Sequence, residues 1–331
     1  MAKGYTGIIV GESSIKMVQI NNGIPTKTAI ETTPDNLVRD GRIMSFEALV
    51  DILKTMAKAN QMKNKNAVIV LPLEECYLRR TKMPYMPTDQ LGINLPYEFR
   101  DYIHTDQQDY LYDYAVVGNE LDEEGKIASL ELLIAAIKNT LIESYTKVVH
   151  LSGFKMKIAL PNACAFQNII RAYEDENPEH PRSYCIVDLG HSGIRVHLFK
   201  DGIYEATKVI DYGGSAIDFV IAENLDVDIH TASSYKIKNY ENVQESEFCK
   251  ELYDKMVIEI LRSINFFNYN NQDSELRNVY FCGGLAKIDA LMEMLRSTLE
   301  VQCHSIAQLM PELGEDENLD LICTAIGATL Q

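Results

Sequence analysis

Residues 9–24 and 188–203 of this chain align on each other without a gap. Ile9-Val10-Gly11-Glu12-Ser13-Ser14-Ile15-Lys16 lies over Asp188-Leu189-Gly190-His191-Ser192-Gly193-Ile194-Arg195. Gly11/Gly190, Ser13/Ser192, Ile15/Ile194 and, further on, Gly23/Gly202 are identical, and Lys16/Arg195 keeps the charge. In each copy an apolar run enters a turn of small residues, continues as an alternating strand, and ends at Asn22-Gly23 or Asp201-Gly202, the pairs that tight hairpin turns favour. A hairpin that opens each half of a chain points to a duplicated α/β fold whose halves face each other across a cleft. The turns at 11–14 and 190–193 offer backbone N–H groups and small hydroxyls, which is what a phosphate chain needs from a tight loop. Either copy alone would pass as an ordinary hairpin; the matched pair is what carries the reading.

Each hairpin is followed by helix and strand patterns. After the first, Phe46–Met56 has helical spacing and Ala67–Pro72 reads as a buried strand stopped by proline. Residues 74–154 have another texture, with Pro84, Pro87, many tyrosines and an acidic turn at Asp122-Glu123-Glu124-Gly125. A strand is predicted there at 130–137 and a helix at 140–151, and the segment reads as an inserted subdomain. The second half continues with Gly213-Gly214, a helix over 215–224 and a polar helical stretch over 235–247. An amphipathic helix over 251–268 follows, with Met256, Ile260, Ile264 and Phe267 on one face. A buried strand then ends in Cys282-Gly283-Gly284, a helix spans 288–298, and the chain closes on an apolar segment at 319–330. The expected division is 1–155, holding the insertion, and 156–331.

A length of 331 residues suits two such halves. The net charge of −17 argues against indiscriminate binding of nucleic acid or membrane surfaces, while leaving room for a local basic pocket. The amino terminus does not read as a signal peptide, and no apolar run approaches the roughly 18 residues of a membrane span. Seven scattered cysteines without a C-x-x-C pair indicate a reduced, cytoplasmic protein. The histidines show no metal-ligand spacing, and His191 reads as a turn residue rather than a base.

The two glycine turns, the segment Glu259-Ile260-Leu261-Arg262-Ser263 and the strand ending in Gly283-Gly284 resemble the actin-like (ribonuclease H-like) superfamily of two-lobed nucleotide-cleft proteins. Within it the chain is similar to the PilM family of type IV pilus assembly proteins, relatives of the cell-division protein FtsA, over nearly its whole length. The resemblance implies ATP with Mg2+ as ligands. It assigns nucleotide contacts to Gly11, Ser13, Ser14, Lys16, Asp188, Gly190, Ser192, Gly213, Gly214, Glu259, Arg262, Ser263, Gly283 and Gly284, and the metal to Asp188. It also implies an FtsA/PilM-type inserted subdomain that docks the cytoplasmic tail of a PilN-like inner-membrane protein. Arg79, Tyr97, Phe99 and Tyr102 are its candidate groove residues. Attachment to the inner face of the membrane would run through that partner, with no membrane insertion and no nucleic acid; self-association is left open.

The departures bear on activity. The family's first phosphate segment begins with an Asp where Ile9 stands here, and the internal repeat says the same, since Ile9 lies over Asp188. Glu12 replaces a hydroxyl and brings negative charge towards a phosphate chain. Leu285 follows Gly283-Gly284 where a small residue is usual, a branched side chain that can fill the space of an adenine ring. Residues 158–162 lack the acid that relatives use to orient an attacking water. Phosphoryl chemistry depends on positioned carboxylates more than on the phosphate cradle, so hydrolysis is expected to be lost or very slow, with no catalytic residue assigned. Lys16, Asp188, Glu259 and Arg262 keep nucleotide binding open. The competing readings are a working ATPase or small-molecule kinase of the same superfamily, and an FtsA-like membrane-tethered polymer, whose terminal amphipathic helix has no match after Ala328.

Overall fold

The computed structural model describes residues 4–39, 41–72, 76–314 and 318–330; Glu74, where the insertion was expected to start, and Gln331 lie outside them. Two compact units form: 1–169 with 203–205 and 324–331, and 170–202 with 206–323. In the first unit, β1 (Gly4–Val10), β2 (Ser14–Asn21) and β3 (Ile24–Thr32) make an antiparallel meander, followed by the short pair β4 (Val38–Arg39) and β5 (Arg42–Ile43). Helix α1 (Phe46–Ala59) leads to β6 (Asn66–Leu71), which lies parallel to β1. An inserted sheet of β7 (Cys76–Pro84), β8 (Tyr110–Leu121) and β9 (Ile127–Lys138), with α2 (Thr88–Asn94) beside it, comes next. Helix α3 (Asn139–Leu151) then returns the chain to β10 (Lys155–Pro161), which pairs parallel with β6 and completes the sheet β10-β6-β1-β2-β3.

This sheet exists because its residues have something to bury on both faces. Ile8, Ile15 and Met17 meet Leu49, Leu53 and Met56 of α1 and Tyr145, Val148 and Val149 of α3 on one side. On the other, Val68 and Val70 close over Ala165 and Ala328. Ala165 belongs to α4 (Asn162–Glu176), which runs from the first unit into the second. The backbone passes very close here: a Cβ at Gly7 would sit 2.8 Å from the Ala325 Cβ. Residues 324–330 therefore pack with the first unit.

The second unit repeats the plan. Strands β11 (Ser183–Leu189), β12 (Ile194–Lys200) and β13 (Ile203–Ile210) form the meander, and helices α5 (Gly214–Leu225), α6 (Ile229–Lys238) and α7 (Glu247–Asn270) follow. Strand β14 (Asn278–Cys282), α8 (Asp289–Thr298), β15 (Gln302–Ser305) and α9 (Leu319–Gly327) complete the chain. The strand order β15-β14-β11-β12-β13 matches that of the first sheet. Ile217, Ile221, Tyr253, Met256, Ile260, Ile264 and Leu291 bury one face of it, so the 3.6-residue stripe read along α7 does face the core. The polar stretch 235–247 is not one helix. It breaks at Asn239, Glu241 and Asn242, all left-handed, with the Asn239 side-chain oxygen accepting from the Gln244 N–H at 3.0 Å. A short polar side chain that satisfies backbone groups locally competes with helix at that point.

Candidate functional site

The two hairpins share one register. Ile9 stands opposite Lys16 and Val10 opposite Ile15; Asp188 stands opposite Arg195 and Leu189 opposite Ile194. On their other sides Ile9 neighbours Val70 of β6 and Asp188 neighbours Cys282 of β14. The alignment of the repeat thus holds in three dimensions, and position 9 is the counterpart of the one strand-end carboxylate. Ile9 packs against the Val68, Val70, Ala165 and Ala328 cluster, which supplies the physical reason for an aliphatic residue there.

Asp188 ends β11 at a close approach of backbones. Gly283 has φ +91, and a Cβ on it would fall 2.5 Å from the Leu189 carbonyl oxygen and 2.7 Å from the Asp188 Oδ1. Only glycine fits. The Gly283 N–H donates to the Asp320 carbonyl at 2.9 Å, and Ser305 Oγ donates to the Asp320 carboxylate at 2.9 Å. At Gly284 nothing lies within 4 Å of a would-be Cβ, so this side of the loop is open. Leu285 is buried in the core of the unit, and its Cδ2 would stand 3.3 Å from a Cβ on Gly214.

The loop 190–193 is held from α5. Gly214 and Ser215 N–H donate to the Gly190 and His191 carbonyls at 3.0 and 2.9 Å, and Ser215 Oγ also donates to the His191 carbonyl at 3.0 Å. A Cβ at Gly213 would meet the His191 oxygen at 2.4 Å and the Gly193 nitrogen at 2.6 Å. Gly213 and Gly214 therefore serve first to seat the loop. In the first unit Thr33 does the corresponding work, its hydroxyl donating to the Gly11 carbonyl at 2.7 Å and its N–H to the Ser13 carbonyl at 3.0 Å. Ser13 and Ser192 are both exposed at the tips of their turns, and Ser14 and Lys16 are half-buried.

Beneath Gly214 lies a buried ion pair that the sequence did not announce. Lys236 Nζ of α6 is 2.7 Å from the Asp218 carboxylate of α5 and donates to the Gly214 carbonyl at 2.9 Å. Lys236 falls in the last turn of a polar helix, where a lysine ordinarily reads as a solvated partner of the helix dipole. On α7, Glu259 and Arg262 pair with each other one turn apart, and Ser263 Oγ donates back to the Glu259 carbonyl at 2.8 Å. That places the E-x-x-R-S residues on one helix, as expected, with their first bonds made internally.

Among the described residues no group of three or more His, Cys, Asp or Glu could hold a metal ion. A lone carboxylate such as Asp188 would suit an ion that takes most of its shell from phosphates and water, as Mg2+ does. The glycine at 283 and the exposed hydroxyl at Ser192 suit a phosphate group beside it, so the residues of this unit fit the implied ligands.

In the inserted subdomain Arg79 donates to the Glu98 carbonyl at 2.6 Å, and its guanidinium lies 5.1 Å from the centre of the Tyr102 ring. Arg100 covers Tyr97 in the same way at 4.2 Å. Tyr97 and Tyr102 are about half exposed. Phe99 is not a groove residue: it is wholly buried among Leu91, Leu95, Tyr110 and Leu132, because the short helical turn at 95–99 points it into the subdomain core. Structure thus joins Arg79 to Tyr102 at the surface, leaves Tyr97 exposed beside Arg100, and removes Phe99 from the surface.

Two five-stranded sheets of one order, each begun by the same hairpin, with a loop-seating helix and a diglycine turn in the second, define an actin-like fold. The chain belongs to the type IV pilus assembly protein PilM family, whose model matches residues 7–317. Among solved structures it is similar to a protein of a PilM–PilN type IV pilus biogenesis complex, at 20% identity and TM-score 0.83, covering 98% of this chain and 97% of that one. The ethanolamine utilization protein EutJ from Carboxydothermus hydrogenoformans is similar at 14% identity and TM-score 0.61, covering 98% and 89%. MreB 5 of Spiroplasma citri bound to AMPPNP gives 13% identity and TM-score 0.53, covering 98% and 94%.

Proposed function

We propose that this chain is an assembly scaffold that docks the cytoplasmic tail of a PilN-like inner-membrane protein on its inserted subdomain, and that its nucleotide site binds without productive hydrolysis. The observation that carries the first part is membership of the PilM family together with similarity to a protein of a PilM–PilN complex. The half-exposed rings of Tyr97 and Tyr102, each under an arginine, supply rigid anchors of the kind that dominate binding energy. A basic tail suits a chain of net charge −17, since opposite fields speed encounter. No helix among the described residues is long and apolar enough to cross a membrane, and the partner supplies the link to the inner membrane.

The second part is supported by the matched registers, in which Ile9 takes the place of a carboxylate. ATP with Mg2+ would be held by Asp188, the 190–193 loop and Gly283, and phosphoryl transfer would still lack a group to position the nucleophile. The test is a titration of a fluorescent tail peptide, with phosphate release followed under saturating Mg-ATP. Binding weakened at least about tenfold by Tyr97→Ala with Tyr102→Ala, and no release above background, are the results this reading requires. Unchanged binding in that double variant, or turnover that vanishes in Asp188→Ala, refutes the corresponding part.

A further inference from the structure

An overall charge of −17 conceals one face of the opposite sign. Residues 52–73 contain Lys54, Lys58, Lys63 and Lys65 and no Asp or Glu; residues 144–173 contain Lys147, Lys155, Lys157 and Arg171 and again no acid. The first unit folds these two stretches side by side. Helices α1 and α3 both end in the same turn: Gln61 and Met62 N–H donate to the Lys58 and Ala57 carbonyls, and Gly153 and Phe154 N–H to the His150 and Val149 carbonyls. Each is a Schellman cap, with Gln61 at φ 50 and Gly153 at φ 84. Lys155 N–H then donates to the Lys65 carbonyl at 2.7 Å and joins the two turns.

Lys54, Lys58, Lys63 and Lys65 line a hollow of 460 Å³ together with Ser152 of the second turn. The backbone that carries them is fixed from below. Gln19 Oε1 accepts from the Lys63 and Asn64 N–H groups at 2.7 and 3.2 Å, and Thr6 Oγ1 donates to the Asn64 carbonyl at 2.8 Å. All four lysine side chains are exposed, and among the described residues none of them forms an ion pair. Two helix C-termini carry about half a negative charge each, which Lys58 alone nearly offsets. Lys65 Nζ lies 4.6 Å from the centre of the Phe154 ring, and Lys54 and Lys63 present their charge to solvent.

We propose that this face rests on a bilayer containing anionic phospholipid. Lysine is a compact hydrated charge without the fork that clasps a single carboxylate, and a spread of lysines suits a diffuse layer of headgroup phosphates. Leu151, adjoining Ser152, is 49% exposed and offers an apolar contact at the rim. The face precedes the amino-terminal ends of the parallel strands β6 and β10, whereas the Gly11 turn follows the carboxy-terminal end of β1. Lipid contact therefore leaves that turn uncovered. It also stands apart from the docking surface proposed above and does not depend on it.

Sedimentation with vesicles tests the proposal. The 331-residue chain binds vesicles of phosphatidylglycerol and phosphatidylcholine at low salt, does not bind phosphatidylcholine alone, and is released as salt rises. One lysine near such a surface is worth a factor of roughly five, so Lys54→Gln, Lys58→Gln, Lys63→Gln and Lys65→Gln together reduce partitioning more than about a hundredfold. The same change at Lys238, Lys250 and Lys255 of the second unit leaves it within a few-fold. Should the quadruple variant melt early, Lys54→Glu with Lys58→Glu on the exposed face of α1 carries the same loss. Failure of the wild type to bind anionic vesicles at low salt overturns the proposal, as does unchanged binding by the variants. Binding of polyglutamate without binding of vesicles overturns it in favour of an acidic protein partner.

Discussion

Lys236 and Asp218, both buried, hold the Gly214 carbonyl, and the Gly214 N–H in turn donates to the Gly190 carbonyl. Removing one member of such a pair strands a buried charge. Lys236→Met is expected to cost about 3 kcal/mol in a urea melt, while Lys236→Met with Asp218→Leu recovers most of it. His197 gives a pH signature. It is wholly buried on β12, its Nδ1 2.8 Å from Thr207 Oγ1, and burial, with Arg195 adding, pushes its pKa down to about 3. The unfolded chain takes up a proton near pH 6.5 that the folded one refuses, so this residue's contribution is intact above pH 6.5 and falls as pH drops. Stability should lose about 2 kcal/mol between pH 6.5 and 5 from this source. His197→Gln should flatten the slope, read as the difference between the two proteins' urea midpoints at each pH. Neither group was legible in the sequence. An alternating strand gives no sign of which histidine faces a dry layer, and helical spacing does not reveal which lysine tucks under a neighbouring helix.

Hairpins were the legible elements, because a period of two flanked by Asn-Gly or Asp-Gly leaves one register. That register is what makes Ile9 meaningful. Replacing Ile9 by Asp with Glu12 by Ser is expected to strengthen Mg-nucleotide binding, measured by calorimetry, at a stability cost of about 1–3 kcal/mol from a carboxylate set against Val68, Val70 and Ala165. β10 went unread as a strand, and its place at the edge of the first sheet was hidden as well, since nothing local says which neighbour a short apolar strand will find. The insertion behaved similarly. Its tyrosines were visible, yet Phe99 and Tyr102 differ in burial only because the 95–99 turn rotates one inward. Phe99→Ala should therefore lower stability by about 3–5 kcal/mol, whereas Tyr102→Ala should barely change the melting midpoint and act on binding alone.

At the scale of the whole molecule, the duplicated hairpin carries a carboxylate, Asp188, at one strand end and a packed aliphatic residue, Ile9, at the matching place in the other. The most direct measurement of this account is amide hydrogen exchange of the full chain with and without a PilN-like tail peptide. Protection on binding is expected to concentrate in residues 76–103, around Arg79, Tyr97 and Tyr102, and to appear equally without nucleotide. Protection confined to the second unit, or seen only in the presence of Mg-ATP, would contradict it.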